Sequence, residues 1–331
     1  MAPASTSDTT AASVLPAVAG NNDSTRTHLK AFMLMAGFFI LAPLLGVYPV
    51  FLMKVMCFAL FACAFNLLLG FGGLLSFGHA MFLGGAGYAA AHAAKVWGFT
   101  PELAIGFATL CAAALGWVTG LLAIRRQGIY FAMITLALAQ MVYFFALQAP
   151  FTGGEDGIQA VPRGKFLGLI DLSSTSAMYV FVLAIFLGGF ALIYRIIHSP
   201  FGQVLKAIRE NEPRAISLGY DADKFKHRAF VLSAGLAGLA GATKAMVFQL
   251  ASLTDVHWSM SGEVVLMTLV GGLGTIFGPV IGAAVIVTMQ NYLAELGAWV
   301  TVVQGVIFVV CVLLFRRGIV GEIANKLKKS L

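Results

Sequence analysis

VFLMKVMCFALFACAFNLLL, residues Val50–Leu69, is a run of twenty residues with one charge, Lys54, and no glycine or proline. At 1.5 Å of rise per residue, a helix of that length crosses the roughly 30 Å hydrocarbon core of a bilayer. Its apolar residues do not alternate with polar ones, so it is not a strand of a membrane barrel. Similar runs recur near Lys30–Val47, His79–Ala94, Pro101–Ile124, Gly128–Gln148, Ala177–Ile197, Arg228–Gln249, Ser261–Leu273, Ile276–Tyr292 and Ala298–Phe315. The pattern predicts an all-α, polytopic transmembrane bundle of about ten crossings. Nine or eleven are the alternatives, because Ser261–Leu273 is short and runs almost directly into the next segment, as a broken helix would.

Composition agrees. Of 331 residues, 60% are hydrophobic and 11% charged, whereas a soluble domain carries about 25% charged residues to keep its surface wet. Cys57, Cys63, Cys111 and Cys311 lie inside apolar runs at spacings that match no zinc or redox motif, and read as small buried hydrophobes.

The net charge of +7 reports sidedness rather than nucleic-acid binding. With the N-terminus inside, sixteen Lys and Arg fall on the cytoplasmic side (among them Arg125, Arg126, Lys206, Arg209 and Arg214). Five fall outside: Lys54, Lys95, Arg163, Lys165 and Lys244. Positive residues are retained in the cytoplasm, so both termini are placed there. Trp97, Trp258 and Trp299 then fall near outer ends, as an aromatic belt requires. Residues 1–28 read as a disordered cytoplasmic tail, not a signal peptide, and 319–331 as a basic cytoplasmic tail; the transmembrane domain takes 29–318.

Two connections are long. Residues 149–176 form an external loop with the turn-forming Thr152-Gly153-Gly154-Glu155-Asp156-Gly157. Residues 198–227 are cytoplasmic and open on Ser199-Pro200, a capping residue followed by proline at the first helical position. Phe201, Val204, Leu205 and Ile208 recur at i, i+3, i+4 and i+7, with Gln203, Lys206 and Arg209 opposite, which predicts an amphipathic surface helix. Asn211 or Glu212 caps a second start at Pro213, and Gly219 ends it after about two turns, through Arg214, Ala215, Ile216, Ser217 and Leu218. So short a helix is not stable alone and needs a groove to hold it, in its own chain or a partner.

That stretch, SPFGQVLKAIRENEPRAISLGYDADKFK (Ser199–Lys226), resembles the cytoplasmic coupling region of ABC-importer permeases of the branched-chain amino acid family, LivM type. NLLLGFGGLLSFGHAMFLGGAGYAAA (Asn66–Ala91), ITLALAQMVYFFALQAPFTGGEDGI (Ile134–Ile158) and LVGGLGTIFGPVIGAA (Leu269–Ala284) are similar to the same family, in the same order. The resemblance covers nearly everything after the N-terminal tail. It implies a transport permease, not an enzyme, in a bacterial plasma (inner) membrane. Its partners would be a second similar permease, two ABC ATPase subunits and an extracytoplasmic solute-binding protein, with ATP bound by the ATPases and no cofactor in this chain. By position it places the ATPase-coupling element at Arg209, Glu210, Asn211, Glu212, Pro213, Arg214, Ala215, Ile216, Ser217, Leu218 and Gly219.

Polar residues at membrane depth are costly and face a cavity or another helix. Asn66, Ser76, His79, Gln140 and Glu263 are therefore the candidate pathway residues, and Gly153, Gly154, Glu155 and Asp156 the candidate contact for a binding protein. In Gly72–His79 glycines interrupt the helical pattern, and Gly271–Pro279 echoes that interruption, a hint of internal repetition. Gly235–Lys244 lacks the Gly-Lys-Ser/Thr end of a phosphate-binding loop, and its glycines suit close helix packing instead. Energy must then come from another subunit or an ion gradient. A urea or short-amide permease of the same superfamily and an ion-coupled secondary transporter are the alternatives. A membrane enzyme is disfavoured, since there is no metal-ligand spacing and no pair of intramembrane carboxylates.

Overall fold

The computed structural model describes residues 21–168, 170–294, 299–314 and 318–326. Each apolar run forms a helix. In chain order these are α1 (Asn21–Leu41), α2 (Pro49–Asn66), α3 (His79–Lys95), α4 (Pro101–Ala123), α5 (Ile129–Gln148) and α6 (Thr175–His198). Then come α7 (Pro200–Glu210), α8 (Glu212–Ser217), α9 (Ala222–Phe248), α10 (Trp258–Gly271), α11 (Gly278–Leu293), α12 (Trp299–Leu314) and α13 (Gly318–Lys326). Among the described residues, five helical stretches are long and apolar enough to cross a membrane: Pro49–Phe71, Pro101–Ala123, Ile129–Gln148, Thr175–His198 and Ala222–Phe248.

Several expected boundaries move. Helix α1 reaches back to Asn21, into the stretch read as tail, while residues 1–20 lie outside the described residues. Helix α13 occupies the start of the segment read as a basic C-terminal tail. Helix α9 begins at Ala222 rather than Arg228, because Asp221 caps it by accepting from Lys224 N. The Lys224 ammonium and that same backbone N–H hold the Asp221 carboxyl below the usual carboxylate range. The bundle is not wholly helical either. Strand β1 (Ile158–Gln159) pairs antiparallel with β4 (Leu250–Ala251), and β2 (Lys165–Phe166) with β3 (Ile170–Asp171). The first pair ties the 149–176 loop to the α9–α10 connection, at the end of the bundle where the Lys95 ammonium donates to Gln159 O.

The core is α2, α3 and α9. Helix α2 is buried from Val55 to Asn66 without a break, so it has no lipid-facing stripe. Helix α9 packs through its glycines: a Cβ on Gly238 would overlap Ala112 of α4, and one on Gly241 the backbone of Leu83 on α3. The absence of side chains lets three backbones approach, which is how small residues drive helix association in lipid. Helices α4, α5 and α6 carry the outward apolar flank, with Leu110, Met141 and Val180 exposed. The Tyr179 hydroxyl donates to Phe39 O and ties α6 to α1.

Candidate functional site

Both glycine-rich interruptions are real breaks, and they meet. Helix α2 widens into a π-helical turn at Leu67–Phe71, and no helix resumes until α3. Gly73 (φ +70°), Gly272 (φ +124°) and Gly274 (φ +74°) adopt backbone conformations that a side chain resists. Broken backbone inside a membrane protein must find partners within the chain. Asn66 supplies them: its Nδ2 donates to Thr275 O at 2.8 Å, and its Oδ1 accepts from Gly274 N at 3.1 Å. One buried amide thus staples the α2 break to the α10–α11 break.

The start of α3 is satisfied in the same way. The first N–H groups of a helix have no internal acceptor, and here they lie deep in the protein. Gly78 N donates to Ser76 Oγ (3.2 Å), Ala80 N to Ser261 Oγ (2.9 Å), and Phe77 N to Thr135 Oγ1 (3.2 Å). His79 follows, wholly buried among Phe65, Phe82 and Phe230. Its Nε2 lies 2.8 Å from Ser233 Oγ, which itself donates to Ala64 O at 2.6 Å. With the serine proton spent on Ala64, Nε2 is the donor, and His79 joins α3 to α9 through Ser233.

The predicted pathway residues therefore do not form one lining in this structure. Asn66, Ser76 and His79 are buried in a packed joint. Glu263 stands elsewhere, accepting from Gln290 Nε2 at 3.0 Å, and Gln140 is half-buried on α5 and makes none of these contacts. At the opposite end, Glu155 lines a cavity of ≈ 330 Å³ with Tyr143, Leu147, Thr254 and His257. Gly153 (φ +78°) and Gly154 (φ +60°) shape that turn, and Asp156 is exposed beside it. Among the described residues no group of His, Cys, Asp and Glu could hold a metal ion.

The 198–227 segment folds much as its sequence predicts. Ser199 accepts from Gly202 N and caps α7; Asn211, not Glu212, accepts from Arg214 N and caps α8. Gly219, at φ +88°, ends the turn after α8. The short helix is held by its own chain: Ala215 packs with Ile208 and Ala222, and Phe201 stacks on Phe225 at 5.6 Å. Glu212 binds Lys226 Nζ at 2.6 Å and Gln127 Nε2 at 3.1 Å. Ala215, expected on the coupling surface, is instead buried, because it is the residue that seats α8. Ile216 (56% exposed) and Leu218 (70%) point out with nothing over them among the described residues.

Helix α7 also reaches into the break, which its polar-face pattern does not announce. Leu205 packs on Gly72, Lys206 Nζ sits 5.4 Å from the centre of the Phe71 ring, and Arg209 Nη1 donates to Gly70 O. A Cβ on Gly73 would run into the Arg209 side chain, so glycine there admits the arginine. Burial, and then the nearby Arg209 charge, lower the Lys206 pKa from its ordinary value. The exposed tip at Ile216 and Leu218 is thus joined, through α7 and Arg209, to the place where the membrane helices are broken.

Residues 49–313 match the family described as branched-chain amino acid transport system / permease component. The chain belongs to that family. This permease is 24% identical, over 95% of its own length and 79% of the relative's, to the high-affinity branched-chain amino acid transport system permease protein LivM of Escherichia coli. It is 30% identical to the ribose import permease protein RbsC of Bacillus subtilis, over 54% of this chain and 58% of that one. A probable branched-chain amino acid transport permease protein LivH of Methanocaldococcus jannaschii is 28% identical over 45% of the permease. No solved structure matches it. The matched span includes both breaks, α7 and α8, so the junction belongs to the family's part of the chain.

Proposed function

We propose that the chain is the membrane-spanning subunit of an ATP-binding cassette importer for branched-chain amino acids, placed in a bacterial plasma membrane. It works with a second, similar permease, two ATPase subunits that alone bind ATP, and an extracytoplasmic binding protein that delivers substrate. The α7–α8 end faces the cytoplasm and the 149–176 loop faces outside, the orientation the positive charges favour. One observation carries the reading: α8 is seated on its own chain by Ala215 and Glu212 while Ile216 and Leu218 stay bare. Movement of a partner against that edge reaches Gly70 through Arg209. The geometry converts a cytoplasmic push into a shift where two helices are already broken.

Single cysteines test the docking edge. Ile216→Cys and Leu218→Cys crosslink to the ATPase subunit in the assembled transporter, with yields that change between ATP-bound and nucleotide-free states. Ala215→Cys does not crosslink, since its side chain is buried. Absence of crosslinks from both exposed positions in every nucleotide state contradicts the proposal. Competition among leucine, isoleucine, valine, urea and ribose in the same preparation identifies the substrate class, ribose being included because of the ribose permease relative.

A further inference from the structure

A second feature lies away from the junction, at the C-terminal end of α3. A cavity of ≈ 600 Å³ opens between α3, α4 and α5, lined by Gly85, Phe107, Leu115, Val142, Phe145 and Ala146, with Trp97 and Phe151 at its mouth. It is apolar almost throughout, but two side chains bring buried polar atoms to it: Tyr88 Oη and His92 Nδ1, neither of which has a hydrogen-bond partner. Tyr88 is only 7% exposed. The other hydroxyl at the wall, that of Thr152, is already spent on Ala146 O and Ala149 O. The His92 ring stands nearly at right angles to the rings of Trp97 (5.4 Å) and Phe151 (5.9 Å).

A buried polar atom without a partner is destabilising, and an empty apolar cavity forfeits the contacts its lining could make. Both deficits are cured by one ligand chemistry: a hydrocarbon tail ending in an ester. We propose that this cavity holds one acyl chain of a bilayer phospholipid, from the leaflet at the Lys95 end of α3, its ester oxygens accepting from the Tyr88 hydroxyl and from His92 in its Nδ1–H tautomer. Depth agrees. His92 is three residues before the end of α3 and Tyr88 seven, about 4.5 and 10 Å below it along a helix, where headgroup gives way to hydrocarbon. Trp97 marks the same boundary. The two helices that wall it also carry exposed apolar side chains, Leu103 and Leu110 on α4 and Met141 and Phe144 on α5. An acyl chain therefore enters sideways, without crossing water.

The probe is a phosphatidylethanolamine carrying a diazirine in the middle of one acyl chain, built into bilayers around the purified full-length protein in its complex. After illumination, lipid adducts are expected on the peptides holding Phe107, Leu115 and Phe145 well above the level at Val180, an exposed apolar position on α6. A Cβ on Gly85 meets nothing within 4 Å, so Gly85→Phe places a ring in the cavity, in the way of an acyl chain, without strain on the backbone. It should bring adducts at Phe107 and Phe145 down to the Val180 level while the complex still elutes as one species. Adducts no richer in the cavity than at Val180 overturn the inference. So do adducts undiminished by Gly85→Phe, or a partner subunit's helix crosslinked in the lipid's place. No transport is measured, so a failure of uptake leaves this site standing and the reverse also holds.

Discussion

Asn66→Leu is expected to lower the stability of the folded permease by about 2–6 kcal/mol, because it leaves two buried backbone groups unpaired at about 1–3 kcal/mol each. Leucine keeps the branched shape of asparagine and leaves no cavity, so the hydrogen bonds are lost outright and its bulkier methyls only add to the cost. The groups abandoned are Gly274 N–H and Thr275 C=O, which lie where no regular helix can take them back. Gly70 approaches so closely that a Cβ there would displace the Asn66 amide, so no larger side chain can substitute from that side. The measurement is thermal unfolding of the detergent-solubilised protein, with yield as a second reading. A change within about 0.5 kcal/mol, the range of an ordinary surface substitution, shows that the two breaks are not held together by this residue.

Arg209→Ala has its largest effect on coupling rather than on folding. The residue is exposed overall and its bond to Gly70 O is only partly sheltered. The loss is therefore near the low end for a charge-assisted bond, about 1.5 kcal/mol. If that energy is what transmits movement from α7 to the break, it corresponds to about a tenfold loss of uptake, while ATP hydrolysis by the partner subunits persists. Uptake and hydrolysis falling together would mean that Arg209 serves assembly instead. Uptake unchanged would remove Arg209 from the transmission path. Arg209→Lys should recover only part of the function, since a lysine keeps the charge but loses the planar fork and its reach.

What the sequence reveals and what it hides follows from the range of the interactions. The cap at Ser199, and the next narrowed to Asn211 or Glu212, are legible because a side chain bonding three residues ahead is written in nearby letters. The helix breaks at Gly72 and Gly271 were legible for the same reason: glycine at positive φ and lost periodicity are local facts. Their meeting was not, since Asn66 and Thr275 are 209 residues apart. Arg209 reads as part of the polar face of α7 and, by resemblance, as the start of the coupling element; its bond to Gly70, 139 residues away, is not written there. The polar residues of the membrane segments pointed to a pathway because buried polarity is expensive. In the structure that polarity is used by the backbone: Ser76 and Ser261 serve the free N–H groups where α3 begins, and Asn66 the broken chain beside it. Ala215 enters the coupling stretch by its position in the resemblance; its burial is hidden in the sequence, because which face of so short a helix is seated depends on what it packs against.

The central claim is that cytoplasmic ATP hydrolysis drives transport through this chain. It is tested most directly by sealed proteoliposomes holding the permease, its partner permease and the ATPases, with binding protein and radiolabelled leucine on the side of the 149–176 loop. The account predicts accumulation that requires ATP on the α7–α8 side, requires the binding protein, and is abolished when the ATPases are omitted. Leucine uptake by the permease subunits alone, driven by a proton or sodium gradient without ATP, would contradict it.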